Sequence, residues 1–370
     1  MNEHKALAIS LVSLFLFSGC LGAVDPAVEV PGIELPDDWG VTVARTVSSP
    51  QLSQFSDCDE LETALKLSLE EEAKTQILQA IEEQYTYGSM WLEGDMGAEM
   101  AMDDAAATGT TSAPQTRRTE GTDYSGTNNQ EQGVDEADFV KTDGHNIYFL
   151  NGKNLVIFGI PEFGELILLS TTPIQGSPTS MMLDGDRLVV ISSVSTWTLG
   201  QNDPLTTELG WDDAPGIWRS SSLTKFTVLD ASNRSAPAIE KELFLEGSYM
   251  TAREVNGTVR TVTHAWMNIP GIQTWLDFPA GYWDLDYEDP LRLEVREKVG
   301  YQTILDNQLT ISALALSDIL PKVYERVNGA LTVHTMDDDA CADFVAPSDG
   351  LNRGFNSIFT FDLADENFGF

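Results

Sequence analysis

The heptapeptide DLDYEDP places Asp284, Asp286 and Glu288 on alternate residues, with Asp289 directly after them. A hard cation such as calcium is held by several converging oxygens, and carboxylates so spaced could supply them. The stretch lacks the glycine and the terminal bidentate glutamate of a helix–loop–helix calcium loop. In a chain with 58 acidic residues such clusters also arise by chance. The expectation is no cofactor, with Asp284, Asp286 and Glu288 the residues that would hold calcium. A second acidic string, GVDEADFVK, sets Asp135, Glu136 and Asp138 before Lys141. Either it holds a cation, or its acids pair with Lys141 and backbone amides at the entrance of a folded domain.

Histidine is the other source of metal chemistry. His145, His264 and His334 each fall just after or within the second run of a repeated pattern described below. Equivalent positions around a ring could bring two or three imidazoles together; the plainer reading is ordinary strand histidines. There is no H-x-x-x-H pair, no G-x-S-x-G elbow, no Gly-rich phosphate loop and no C-x-x-C pair. Of three cysteines, Cys58 and Cys341 lie in what reads as an exported chain and are expected to form a disulfide. Asn233 (in NRS) and Asn256 (in NGT) are sequons for N-glycosylation.

The elements that must position these residues are short strands. After residue 137 the chain becomes apolar runs split by Asp-Gly or Asn-Gly pairs at 143–144, 184–185, 256–257 and 328–329. Such pairs favour two-residue hairpins because both turn residues take positive φ. The turns lie 41, 72 and 72 residues apart. A period of about 40 residues with about four strands per unit, the two long intervals being lengthened by insertions, predicts a β-propeller. The first unit reads ADFVKT, NIYFL, NLVIFGI and ELILLST; the second reads TSMML, RLVVISS, KFTVLD and KELFLEG. Long insertions interrupt the second and third units. Trp197, Trp211, Trp218, Trp266, Trp275 and Trp283 lie in or beside them. These rings either anchor the insertions or form platforms for sugars or peptides.

Upstream, residues 56–93 read as a helical stalk segment. Leu61, Leu65, Leu69, Ala73, Ile77, Ile81 and Tyr85 recur every fourth residue, and Ser56 is the expected N-cap. Residues 94–127 are small, polar and acidic without periodicity, which predicts a disordered linker. Residues 128–370 form the propeller domain. Only about four units begin, and the last run, SIFTFDLADENFGF, matches a third strand with no fourth after it. The ring is thus expected to stay an open arc with an unpaired edge, as in a fragment of a longer gene product.

The first 19 residues read as a signal peptide, with a lysine-bearing start and an apolar run from Ala6 to Phe17. Cys20, preceded by Ser18 and Gly19, stands where a lipobox cysteine is lipidated, and residues 20–55 read as a tether from that anchor. The formal net charge is −37, which repels phosphate backbones and excludes a nucleic-acid ligand.

TNNQEQGVDEADFVKTDG, with NIYFLNGKNLVIFGI and SPTSMMLDGDRLVVISS after it, resembles the leading motif of a family of secreted proteins. Their C-terminal β-propeller domain is distantly related to WD-type repeats. DCDELETALK, LPKVY and DACADFVAP extend the likeness over most of residues 56–370. The resemblance implies a secreted or lipoprotein-like propeller and supplies no catalytic residues. The resulting expectation is a non-enzymatic binding or scaffolding protein at the outer face of a membrane. Its partner would be a cell-envelope protein or glycan. The rival is a metal-dependent enzyme with its site at the propeller channel or loop face.

Overall fold

The computed structural model describes residues 28–42, 51–86, 118, 134–211, 214–266, 268–337, 339–347 and 354–368. The signal segment and Cys20 lie outside them, as does the expected linker apart from Arg118. The described residues form two compact units, one of residues 28–42, 70–86 and 272–311, the other of the remaining described residues.

In chain order the elements are β1 (Leu52–Gln54), α1 (Cys58–Thr86), β2 (Asp135–Glu136), β3 (Val140–Thr142), β4 (Asn146–Asn151), β5 (Asn154–Gly159) and β6 (Ile167–Pro173). Then come β7 (Ser177–Asp184), β8 (Arg187–Ser195), α2 (Pro204–Leu209), β9 (Gly210–Trp211), β10 (Ala214–Trp218), β11 (Ser222–Asp230) and β12 (Ala238–Glu246). The last are β13 (Ser248–Val255), β14 (Thr258–Ala265), α3 (Pro290–Ala313), α4 (Leu316–Ile319), β15 (Val323–Val327), β16 (Ala330–His334), β17 (Val345–Pro347) and β18 (Phe355–Asp362).

In the larger unit three antiparallel sheets carry the core. The first is the meander β3-β4-β5-β6; the second runs β7-β8-β11-β12-β15-β16; the third runs β2-β13-β14-β18. One face of the second sheet packs on the first, through Leu188, Val190 and Leu229 against Tyr148, Leu155 and Ile157. Its other face packs on the third, through Ile191, Phe226 and Leu243 against Val259, Phe359 and Phe361. Covered on both faces, its central strands β8 and β11 are buried along nearly their whole length. Each fully buried Leu or Phe contributes about 1.5–3 kcal/mol of transfer free energy.

All four turn signals end in hairpins, but with differing chemistry. Asn256 and Asn328 have φ of 51°, each followed by a glycine at 81°, so both residues of these turns are left-handed. In the Asp-Gly turns only the glycines, at 84° and 58°, are. Asn tolerates positive φ better than most residues, whereas Asp143 uses its carboxylate instead, accepting from the amides of His145 and Asn146. At the second turn the strands pair Asp184 with Arg187, so the two-residue loop is Gly185–Asp186.

Two pairings depart from the sequence expectation. The fourth hairpin, β15–β16, does not begin a sheet of its own; β15 pairs along β12 from Val323↔Leu245 to Val327↔Lys241. The terminal strand β18 joins the third hairpin instead, from Phe355↔Ala265 to Asp362↔Thr258. It is a third strand, as its sequence implies, but of the third sheet. Strand pairing requires only a free edge and a matching face, so neighbours along the chain need not be partners.

Helix α1 starts one residue later than expected. Asp57, not Ser56, is the N-cap: its Oδ1 accepts the amide of Glu60 at 2.9 Å. Ser56 donates to the Glu60 carboxylate through its amide and hydroxyl, which lowers that pKa. Within the larger unit, Leu61 and Leu65 pack with Leu316, Leu320 and Cys341. Within the smaller unit, Ile77 and Ile81 pack against Ile304 of α3 and Trp39. Trp39, Val28 and Val30, from the stretch read as tether, are folded here. Leu52–Gln54 pairs with Val345–Pro347. The side chain of Tyr85 lies outside the described residues.

Helix α3 has no counterpart in the sequence expectation, which read its residues as an insertion. Its signal was nevertheless present: Asp289 as N-cap, accepting the Leu291 amide at 2.9 Å, and Pro290 at the first helical position. Val295, Val299, Ile304 and Ile311 supply the buried stripe.

Candidate binding surface

The acidic string before the first sheet is where the three sheets meet. The backbone of Asp135 pairs with Glu254 on β13, and Glu136 pairs with Arg253. Asp138 makes a two-way bridge with Met181 on β7, and the chain then enters β3. The Asp135 carboxylate touches the other two sheets. Oδ1 accepts from Lys141 Nζ at 2.7 Å, and Oδ2 accepts the Leu183 amide at 2.9 Å. Lys141, only 2 % exposed, also donates to the Glu136 carbonyl. The string is thus committed to joining sheets. Nearby Glu254 is buried, and that burial, with Asp184 and Asp135 beside it, raises its pKa although the Gly257 amide bonds to it.

Two further buried polar networks sit on the second sheet, and sequence reasoning missed both. Arg219 meets Glu246 at 3.2 Å with both side chains buried, and donates to the carbonyls of Asp318 and Leu320. Tyr324 donates to Glu246 at 2.6 Å; burial and that carboxylate push its hydroxyl far above the ordinary value. The other network runs in a closed circuit. Lys225 pairs with Glu242, Glu242 with Arg326, and Arg326 with Asp203; Gln175 then bonds both Asp203 and Lys225. Burial lowers the pKa of Lys225, with Glu242 opposing the shift. The available signal was a lysine inside the apolar run LTKFTVL.

Asp143, at the first turn, gathers Asn146, His145 and Tyr148, while Arg234 joins Tyr148 and Asp143. Burial alone would raise this carboxyl, but those hydrogen bonds outweigh it and hold it low. Arg118 donates to the Gly144 carbonyl at 2.6 Å and lies over the Phe163 ring.

The other sequence candidates disperse. His145 is exposed at a turn of the first sheet. His264 on β14 bonds Asn356 at 3.0 Å, and His334 on β16 bonds Glu325 at 3.2 Å. Asp284, Asp286 and Glu288 are exposed on the loop before α3, where Asp289 is spent as the helix cap. No group of three or more His, Cys, Asp or Glu side chains among the described residues is placed to hold a metal ion. The structure joins Cys58 and Cys341 in a disulfide. Asn233 and Asn256 are both exposed.

The tryptophans divide. Trp218 packs partly buried on the second sheet near Leu223, with Trp197 edge-on to it at 6.1 Å. Trp197, Trp266, Trp275 and Trp283 keep more than half their surface open. The Trp211 side chain lies outside the described residues. The exposed rings are Trp197 and Trp266 in the larger unit and Trp275 and Trp283 in the smaller.

The family model described as a beta propeller domain matches residues 124–369. An uncharacterized protein of Archaeoglobus fulgidus is 30% identical over 146 residues, which are 39% of this chain and 20% of that protein. The chain thus matches about a fifth of that relative's length. No solved structure gives a significant match. The family match takes in all three main sheets, from the acidic string to β18, and the chain belongs to the beta propeller domain family.

Proposed function

We propose that this protein is exported, anchored by lipid at Cys20, and acts at the cell envelope as a non-enzymatic binding or scaffolding protein. The observation that carries the binding role is the fate of the acidic string. The Asp135 carboxylate and Lys141 are consumed in joining sheets, while exposed tryptophans stand in the insertions. Propeller loops offer broad surfaces for ligands, and function resides in such sites rather than in the fold.

Fractionation of native cells tests the anchor. The mature N-terminus should carry a diacylglycerol adduct on Cys20, and Cys20→Ser should release the protein to the medium. Unchanged membrane association of that variant refutes the anchor. A pull-down from envelope extract tests the binding role: specific, saturable capture of an envelope protein or glycan supports it. A stoichiometric transition metal in purified protein, together with hydrolytic turnover, would replace this reading by the metal-dependent enzyme.

A further inference from the structure

We propose that the loop before α3, residues 272–289, is a binding platform for glycans that are neutral or carry amino groups. The proposal deepens the binding role above and rests on it. It concerns the smaller unit alone.

The loop is built from beneath. Asn307 of α3 clasps its start, accepting the Gln273 amide and donating to the Gln273 carbonyl, both at 2.8 Å. Phe278 and Tyr282 stack face to face, centroids 3.9 Å apart and planes 6° apart, and Tyr282 is buried. Trp283 stands edge-on to both, at 5.4 Å and 5.0 Å. The Arg292 guanidinium, in the first turn of α3, lies over Tyr282, Trp283 and Tyr287 at 5.1, 5.8 and 5.9 Å.

Yet Trp283 and Tyr287 remain 63% and 52% exposed. A tryptophan that served only to anchor the loop would bury its ring, as Tyr282 does. Here the rings are held and still face solvent, so a ligand meets them already ordered and little entropy is lost on binding. Their apolar faces, electron-rich at the centre, suit the C–H face of a pyranose ring. Asp284, Asp286 and Glu288 are exposed in the same turn and accept hydroxyl hydrogen bonds.

Charge selects among sugars. Those three carboxylates, on a chain of net charge −37, repel uronate and sulfate groups. The Arg292 guanidinium already lies over the Trp283 ring, so the ammonium of an amino sugar is drawn by the exposed carboxylates rather than by that ring face. This excludes acidic polysaccharides and favours neutral or amino-bearing chains.

The full chain is titrated with chitosan oligosaccharides, neutral chitin oligosaccharides and polygalacturonate, followed by tryptophan fluorescence and saturation-transfer NMR. Saturable binding of the first or second, and none of the third, is expected. Trp283→Ala should weaken it by roughly tenfold or more, with Trp283→Phe intermediate. Trp197→Ala, which removes an exposed ring of the other unit, should leave it unchanged; circular dichroism checks each fold. The proposal is overturned by no saturable binding of either oligosaccharide, by equal binding in Trp283→Ala, or by preference for polygalacturonate. Oligolysine binding without oligosaccharide binding also overturns it, in favour of a basic peptide. Successful capture from envelope extract alongside failure of every glycan removes this assignment and leaves the binding role standing.

Discussion

Asp135 and Lys141 form an ion pair at 2.7 Å, the lysine buried and the aspartate half-buried, six residues apart in the chain but on two different sheets. Because Asp135 also accepts the Leu183 amide, this one carboxylate ties three sheets together. Removing one partner of a buried pair leaves an uncompensated charge and costs about 3–5 kcal/mol. Asp135→Ala should therefore destabilise the larger unit by about that amount, read as a lower urea midpoint. Lys141→Met should cost less, since it leaves no orphaned cation and Asp135 keeps an amide bond. Equal small effects in both, with no coupling in the double mutant, would show the pair to be incidental.

The Cys58–Cys341 disulfide closes a sequence separation of 283 residues. In the chain-entropy model a loop of that size is stabilised by about 5 kcal/mol, with less delivered when the unfolded chain retains structure. Reduction, or Cys58→Ser, should lower the melting temperature markedly. Alkylation and peptide mapping of unreduced protein should find neither cysteine free; two modified peptides would contradict the bridge.

Gly300 permits the close approach of α3 to the second half of α1. A Cβ there would lie 2.6 Å from Ile81 Cδ1 and 3.3 Å from Ile77 Cγ2. Gly300→Ala forces the Ile81 methyl aside, and Gly300→Leu overpacks the contact by about 1–3 kcal/mol or more. Hydrogen exchange should show earlier opening of residues 290–311 in the leucine variant. Unchanged protection would mean that the helices do not pack this way.

Glu254 makes stability depend on pH. Its folded pKa is raised above the ordinary glutamate value, by burial and by Asp184 and Asp135. The native state therefore binds the proton more tightly than the unfolded chain does. Its contribution is favourable at low pH and is lost as pH rises from the ordinary value through the raised one. Glu254→Gln, which keeps an oxygen for the Gly257 amide, should be neutral to stabilising at pH 7. Its advantage over the native chain should shrink on acidification through that window. An advantage that is constant with pH would refute the assignment.

A net charge of −37 makes the folded state repel itself. Salt screens that repulsion, the Debye length falling to about 3 Å at 1 M. Melting temperature should rise steadily with potassium or sodium chloride up to about 1 M, with excluded-salt effects continuing beyond. A flat or falling response would show that the acids are spaced too widely to matter.

What could be read from sequence is what depends on neighbours in the chain. Asn256-Gly257 and Asn328-Gly329 specify tight turns because the two residues that must take positive φ are adjacent. The buried stripe of α1 is legible for the same reason, since residues four apart share a helix face. Even the missed helix α3 was local information, written in Asp289, Pro290 and the spacing of Val295, Val299 and Ile304. Only tertiary structure could decide which free edge each hairpin joins. It set β15 along β12 and β18 along β14, choices governed by faces and edges contributed by residues far apart. The same holds for the chemistry of single residues. That Asp135 is a three-sheet clasp and Trp283 a held but open ring follows from partners distant in sequence or from solvent access. Composition alone cannot register those, because burial and pairing arise only when the chain has folded.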